Sequence, residues 1–89
     1  MPNLQAEILS QLTSIFRDVF DDDSLQITLE TTASDIAGWD SFAHINLIVA
    51  TEAFFKIKFK TAEIESLQNI GHLAEVIRSK LEKQSFINR

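Results

Sequence analysis

The sequence contains no cysteine, so no disulfide braces it and it has no thiol of its own to serve as nucleophile or metal ligand. Any thiol chemistry must come from an added group. Histidine is nearly as scarce, and His44 and His72 alone are too few for a zinc site. With two glycines there is no glycine-rich loop to cradle a phosphate. No apolar run approaches the roughly 20 residues that cross a bilayer. The start, Met1-Pro2-Asn3-Leu4, has neither a basic segment nor an apolar signal core, so we expect a cytoplasmic protein without a membrane span. Positive charge is short in the first half: residues 1–40 hold eight acids and one base, residues 41–89 five acids and seven bases. The net charge of −5 argues against nucleic acid, whose phosphates need clustered Lys and Arg, and favours basic protein surfaces as partners.

What remains is enough for one small domain. A chain of 89 residues buries only about 60–65% of its unfolded surface, so its core is feasible but small. We expect a single domain over residues 1–89, a core over about 4–83, a frayed tail at 84–89 and a monomer.

Leu4, Ile8, Leu12, Ile15 and Val19, with Leu9 and Phe16 beside them, form a helical stripe. They predict a first helix at about 4–20, with Asn3 as its cap. Residues 21–40 break the period, because Asp21-Asp22-Asp23-Ser24 and the Thr, Ser and Asp that follow favour turns. Leu25, Ile27, Leu29 and Ile36 are the apolar anchors that would pin this loop to the core. A loop near 20 residues is uncommon in so small a domain and points to function.

A second helix is predicted at about 41–56, with Ser41 at the cap or first turn. It is apolar nearly all round, which fits a central helix or one with a second use. We assign Leu47, Ile48, Phe54 and Phe55 to the core, and Phe42, Ile45 and Val49 to a partly exposed patch on the side of Ser41. Lys56-Ile57-Lys58-Phe59-Lys60 alternates like a strand but has no partner strand, so it reads as a connector with Ile57 and Phe59 turned inward. A short third helix at about 61–67, capped by Thr61, and a fourth at about 70–83, capped by Asn69, complete the chain. In the fourth, Ile70, Leu73, Ile77 and Leu81 make the stripe. The fold class is therefore all-α: a four-helix bundle with three long helices, a short third helix and a long loop between helices one and two.

The acids at 21–23 do not make a calcium loop, which needs glycine at its sixth position and glutamate at its twelfth; here those positions are Gln26 and Thr32. Ser41 lies in neither a nucleophile elbow nor a Ser-x-x-Lys motif. His44, three residues on, has no orienting third group and no oxyanion hole beside it, so no serine catalysis is indicated. What distinguishes Ser41 is its place at the start of a helix, where outward backbone N–H groups favour a phosphate.

Gly38-Trp39-Asp40-Ser41-Phe42, followed by Ala43-His44-Ile45-Asn46-Leu47-Ile48 and Glu52-Ala53-Phe54-Phe55, resembles the Asp-Ser-Leu region of acyl carrier proteins. It is most similar to the discrete carriers with Trp before Asp-Ser, and the resemblance extends over about residues 4–83. It implies an up-down four-helix bundle that is not itself an enzyme. It implies that a phosphopantetheinyl transferase attaches 4′-phosphopantetheine from coenzyme A to Ser41, with Asp40 as the motif acid. The arm's thiol would carry acyl groups as thioesters between a loading ligase and synthase or transferase enzymes. Phe42, Ile45, Asn46, Val49 and Glu52 would form the partner patch, and the space between helices two, three and four would shelter the cargo.

The chain also departs from that family. Fatty-acid carriers usually have several acids on helix two, whereas here Asn46 and Ala53 occupy matching positions and Glu52 alone remains. This favours a dedicated carrier, in fatty-acid-like, polyketide or another specialised synthesis, over the general one. Two alternatives stay open on sequence: an aminoacyl or peptidyl carrier, since Asp-Ser-Phe also occurs in carriers of D-alanine, and a helical adaptor with no arm, in which Asp-Ser is only a cap.

Overall fold

A computed structural model describes the backbone of residues 4–87 and the side chains of residues 4–83. The helices are α1 (Leu4–Val19), α2 (Ser41–Phe55), α3 (Thr61–Glu65) and α4 (Ile70–Ile87). A 3₁₀ turn, Ala33–Asp35, interrupts the long first loop. Its polar residues make it: the Asp35 carboxylate accepts the Thr32 N–H at 2.9 Å. α4 continues past the expected end at 83, and the proposed cap Asn3 lies outside the described residues. α3 is two residues shorter than expected and is capped one residue earlier. Lys60 precedes the helix, and its N–H donates to Glu63 Oε1 at 2.8 Å, so Thr61 is the first helical residue rather than the cap. Asn69 caps α4 as expected, its Oδ1 accepting the His72 N–H at 2.8 Å.

The core is a single cluster. α1 contributes Ile8, Leu12, Ile15 and Phe16; α2 contributes Leu47, Ile48 and Phe55; α4 contributes Ile70, Leu73, Ala74 and Ile77. The loop anchors Ile27 and Ile36 and the connector's Ile57 are buried with them. The second half of α1 lies against the segment that opens α2, with the Phe16 and Trp39 rings 5.2 Å apart, so α1 and α2 run in opposite directions.

α2 corrects one assignment. Phe54 is 51% exposed, and the fourth buried position of the helix is Thr51. At about 100° per residue, Thr51 falls in the middle of the buried sector and Phe54 just outside its edge. The hydroxyl is tolerated because it donates to the Leu47 carbonyl one turn back, at 2.8 Å. α2 ends as Lys56 enters the left-handed region at φ 57°.

The long loop is bolted to the start of α4. The Ile70 N–H donates to the Thr31 carbonyl at 2.9 Å and the Gly71 N–H to the Leu29 carbonyl at 2.7 Å. These loop carbonyls satisfy two N–H groups that a helix start leaves without internal partners. Gly71 is a requirement of this contact rather than a mere helix penalty, because a Cβ there would sit 2.8 Å from the Leu29 oxygen.

Phe16 is fully buried, so Phe16→Ala should destabilise the fold by about 3–5 kcal/mol. Phe54→Ala should cost about 1 kcal/mol or less, its contact with Phe55 being the main loss. Urea unfolding of the two variants measures the contrast; equal losses would contradict the placement of Phe54.

Candidate functional site: the start of α2 and its cleft

Gly38, at φ 86°, turns the chain into α2, and the Asp40 N–H donates to the Gly38 carbonyl at 2.9 Å. Asp40 is then the N-cap: its Oδ1 accepts the Ala43 N–H at 2.9 Å. This division of labour leaves Ser41 as the first helical residue, exposed, with its hydroxyl committed neither to capping nor to the core. The hydroxyl therefore stands in solvent at the positive end of a helix of 15 residues.

Trp39 holds this corner. Its ring meets Phe16 edge-on at 5.2 Å and lies over His44 at 5.9 Å. Its Nε1–H donates to His44 Nδ1 at 3.0 Å. An indole N–H only donates, so Nδ1 accepts and the imidazole hydrogen sits on Nε2. From there His44 donates to the Ile64 carbonyl of α3 at 3.4 Å. His44 thus links the segment before α2 to α3. Its sequence signal was its spacing of five residues from Trp39, which says nothing of a hydrogen bond until the turn is known.

A cleft of about 660 Å³ opens beside Ser41, between the start of α2, α3 and the start of α4. Trp39, His44 and Ile45 line one side, and Ile64, Leu67 and Leu73 the other. Both α2 and α4 begin at this cleft, so they run in the same direction. The α3 wall is held by polar contacts before it and at its middle. Glu52 Oε2 accepts the Phe59 N–H at 2.8 Å just before it, and Glu63 pairs with Lys80 of α4 at 2.9 Å.

Of the patch residues, Phe42 is 77% exposed, Ile45 54% and Val49 58%, and Asn46 between them is exposed. They share the side of α2 opposite Leu47, Ile48 and Thr51. Glu52 departs from the expectation: it is half-buried and its carboxylate is committed to the connector's backbone. Phe54 adds apolar surface further along the same helix.

Comparison with known proteins bears on this arrangement. A family model described as "Phosphopantetheine attachment site" matches residues 10–77. An acyl carrier protein of Thermotoga maritima is 31% identical over 75 residues, which is 84% of this chain and 93% of that protein. A solution NMR structure of a holo acyl carrier protein from Geobacter metallireducens superposes with a TM-score of 0.82 at 51% identity, covering 86% of this chain and 88% of the other.

The family model, the relative and the similar structure together place this all-helical chain among carriers rather than catalysts. The chain belongs to the acyl carrier protein family, whose prosthetic group is a covalently bound phosphopantetheine. Among the described residues no helix is long and apolar enough to cross a membrane.

The hydrogen bond from Lys60 N–H, then the Lys80 ammonium, hold the Glu63 carboxyl below the usual carboxylate range. A lowered folded-state value means that this anchor stabilises α3 above the ordinary carboxylate range and is lost as pH falls through the lowered value. Amide exchange protection at Ile64 and Glu65 should therefore fall on acidification before that of Leu12 and Ile77. Glu63→Gln should remove this pH dependence, and an unchanged profile in the variant would refute the assignment.

Proposed function

We propose that this chain is a dedicated acyl carrier domain, acting in the cytoplasm, and that Ser41 is its attachment residue for 4′-phosphopantetheine. The observation that carries the reading is the exposed Ser41 hydroxyl beside a cleft, with Asp40 rather than Ser41 performing the cap. The residues fit the group. The hydroxyl is reachable, the helix start favours a phosphate, and the cleft begins at the same residue. When bound, the group supplies the terminal thiol that carries acyl cargo as a thioester.

Each residue then has a physical role. In the active site of a phosphopantetheinyl transferase, Ser41 Oγ would form the phosphodiester as the pyrophosphate bond of coenzyme A breaks, with adenosine 3′,5′-bisphosphate leaving and the hydroxyl proton passing to a base of the transferase. Asp40 keeps the first turn rigid and places a carboxylate next to that serine, where it would help position the transferase's metal. Phe42, Ile45, Asn46 and Val49 present a neutral, largely apolar surface to the transferase, the loading ligase and the synthase or transferase enzymes. With Glu52 tied to Phe59, these partners meet α2 through packing more than through charge.

Incubation with a phosphopantetheinyl transferase and coenzyme A should add the mass of one phosphopantetheine to the chain, on the peptide containing Ser41. Ser41→Ala should gain none, and a folded wild-type protein without the adduct would reject the reading. For the patch, Ile45→Glu and Val49→Glu should leave the unfolding midpoint nearly unchanged, because both positions are more than half exposed. Each should raise the KM of modification while leaving the modified peptide the same; a large loss of stability would return these side chains to the core.

A further inference from the structure

We propose that Trp39 and His44 form the end wall of the Ser41 cleft and restrict this carrier to short acyl groups. The inference rests on the carrier reading above and adds a limit on its cargo.

The lining of the cleft stops abruptly. On α2 it reaches Ile45, on α3 Glu65 and on α4 Leu73. Leu47 and Ile48 of α2 and Ala74 and Ile77 of α4 do not line it and are packed with 3% exposure or less. Behind Trp39 the space is filled by Phe16, itself fully buried. Native interiors are packed densely enough that an apolar chain cannot enter without displacing side chains.

At the boundary stands His44. It is tied on one side by the Trp39 indole at 3.0 Å and on the other to the Ile64 carbonyl at 3.4 Å. Its imidazole therefore bridges from the α1–α2 loop to α3, across the line a growing acyl chain would take from Ser41 toward Leu47 and Ile77. Passing it means breaking both hydrogen bonds, and leaving the Trp39 N–H and the Ile64 carbonyl without partners in an apolar setting is unfavourable. Ile64, Leu67 and Leu73 give a short chain an apolar face to lie on. The remaining carbons of a long chain gain nothing inside and stay in solvent. His44 is on this view a specificity-determining wall, not a catalytic group.

The test loads Ser41 with acetyl-, butyryl- or octanoyl-phosphopantetheine, using a phosphopantetheinyl transferase and the matching acyl-coenzyme A. Methyl and indole NMR signals are then compared. In the wild type, Ile64 and Leu73 should shift from acetyl to butyryl and then stop. Leu47, Ile48, Ile77 and the Trp39 indole N–H should be the same with butyryl and octanoyl. In His44→Ala, octanoyl should shift the Leu47, Ile48 and Ile77 methyls, and its thioester should resist hydroxylamine severalfold longer than in the wild type. Trp39→Phe, which removes the donor to His44 but keeps a ring on Phe16, should move the same signals in the same direction, and serves if His44→Ala fails to fold. Core shifts with octanoyl in the wild type would overturn the proposal, as would variants in which octanoyl still leaves the core untouched. A protein whose mass shows no adduct would instead overturn the carrier reading of Ser41, and this proposal with it.

Discussion

The contact on which the rest of this molecule depends is Trp39 against Phe16. A loop of about twenty residues has little reason of its own to end in one place, because ordering each residue costs about 1–2 kcal/mol of backbone entropy. Packing the half-buried Trp39 ring edge-on against a fully buried Phe16 offsets part of that cost and fixes the chain immediately before the helix that bears Ser41. Gly38 permits the turn, Asp40 closes the helix end, and the exposed hydroxyl follows from those two facts. The middle of the loop is tied independently, through Leu29 and Thr31 to the first turn of α4.

α2 is the element that serves two purposes, and its composition reflects that. A helix needs one apolar face to dock, and α2 has apolar residues on opposite sides. Leu47, Ile48, Thr51 and Phe55 hold it in the shared core, chiefly against α1; Phe42, Ile45, Val49 and Phe54 remain in solvent. Solvent-exposed aromatic and branched side chains at this density add little to stability but much to the area available for a partner. The neutrality of that surface is reinforced by the fold, since Glu52 is turned to the connector.

The helices, the loop anchors and the exposed serine that opens α2 were legible because each rests on local information: periodicity, capping chemistry and turn composition. Ile27, Ile36 and Ile57 are buried where their isolation among polar residues suggested. Phe54 was misassigned because the direction of a helix's buried face depends on its neighbours, and periodicity on an all-apolar helix has several solutions. Thr51 was missed for the same reason, its polarity hiding a core position that a hydrogen bond to Leu47 makes acceptable. The role of Gly71 was not legible, because the Leu29 carbonyl that demands it lies some forty positions earlier in the chain.

The sequence by itself determined the helical class, the order and approximate length of the helices, and the Asp-Ser pair that opens the second, because these follow from interactions within a few residues of one another. Only the tertiary structure decided which face of α2 is left for partners, that His44 bridges Trp39 and Ile64, and that a cleft opens beside Ser41. Those are relations between α2, α3 and α4, and they exist only once burial of the shared core has set the helices at their final distances and rotations.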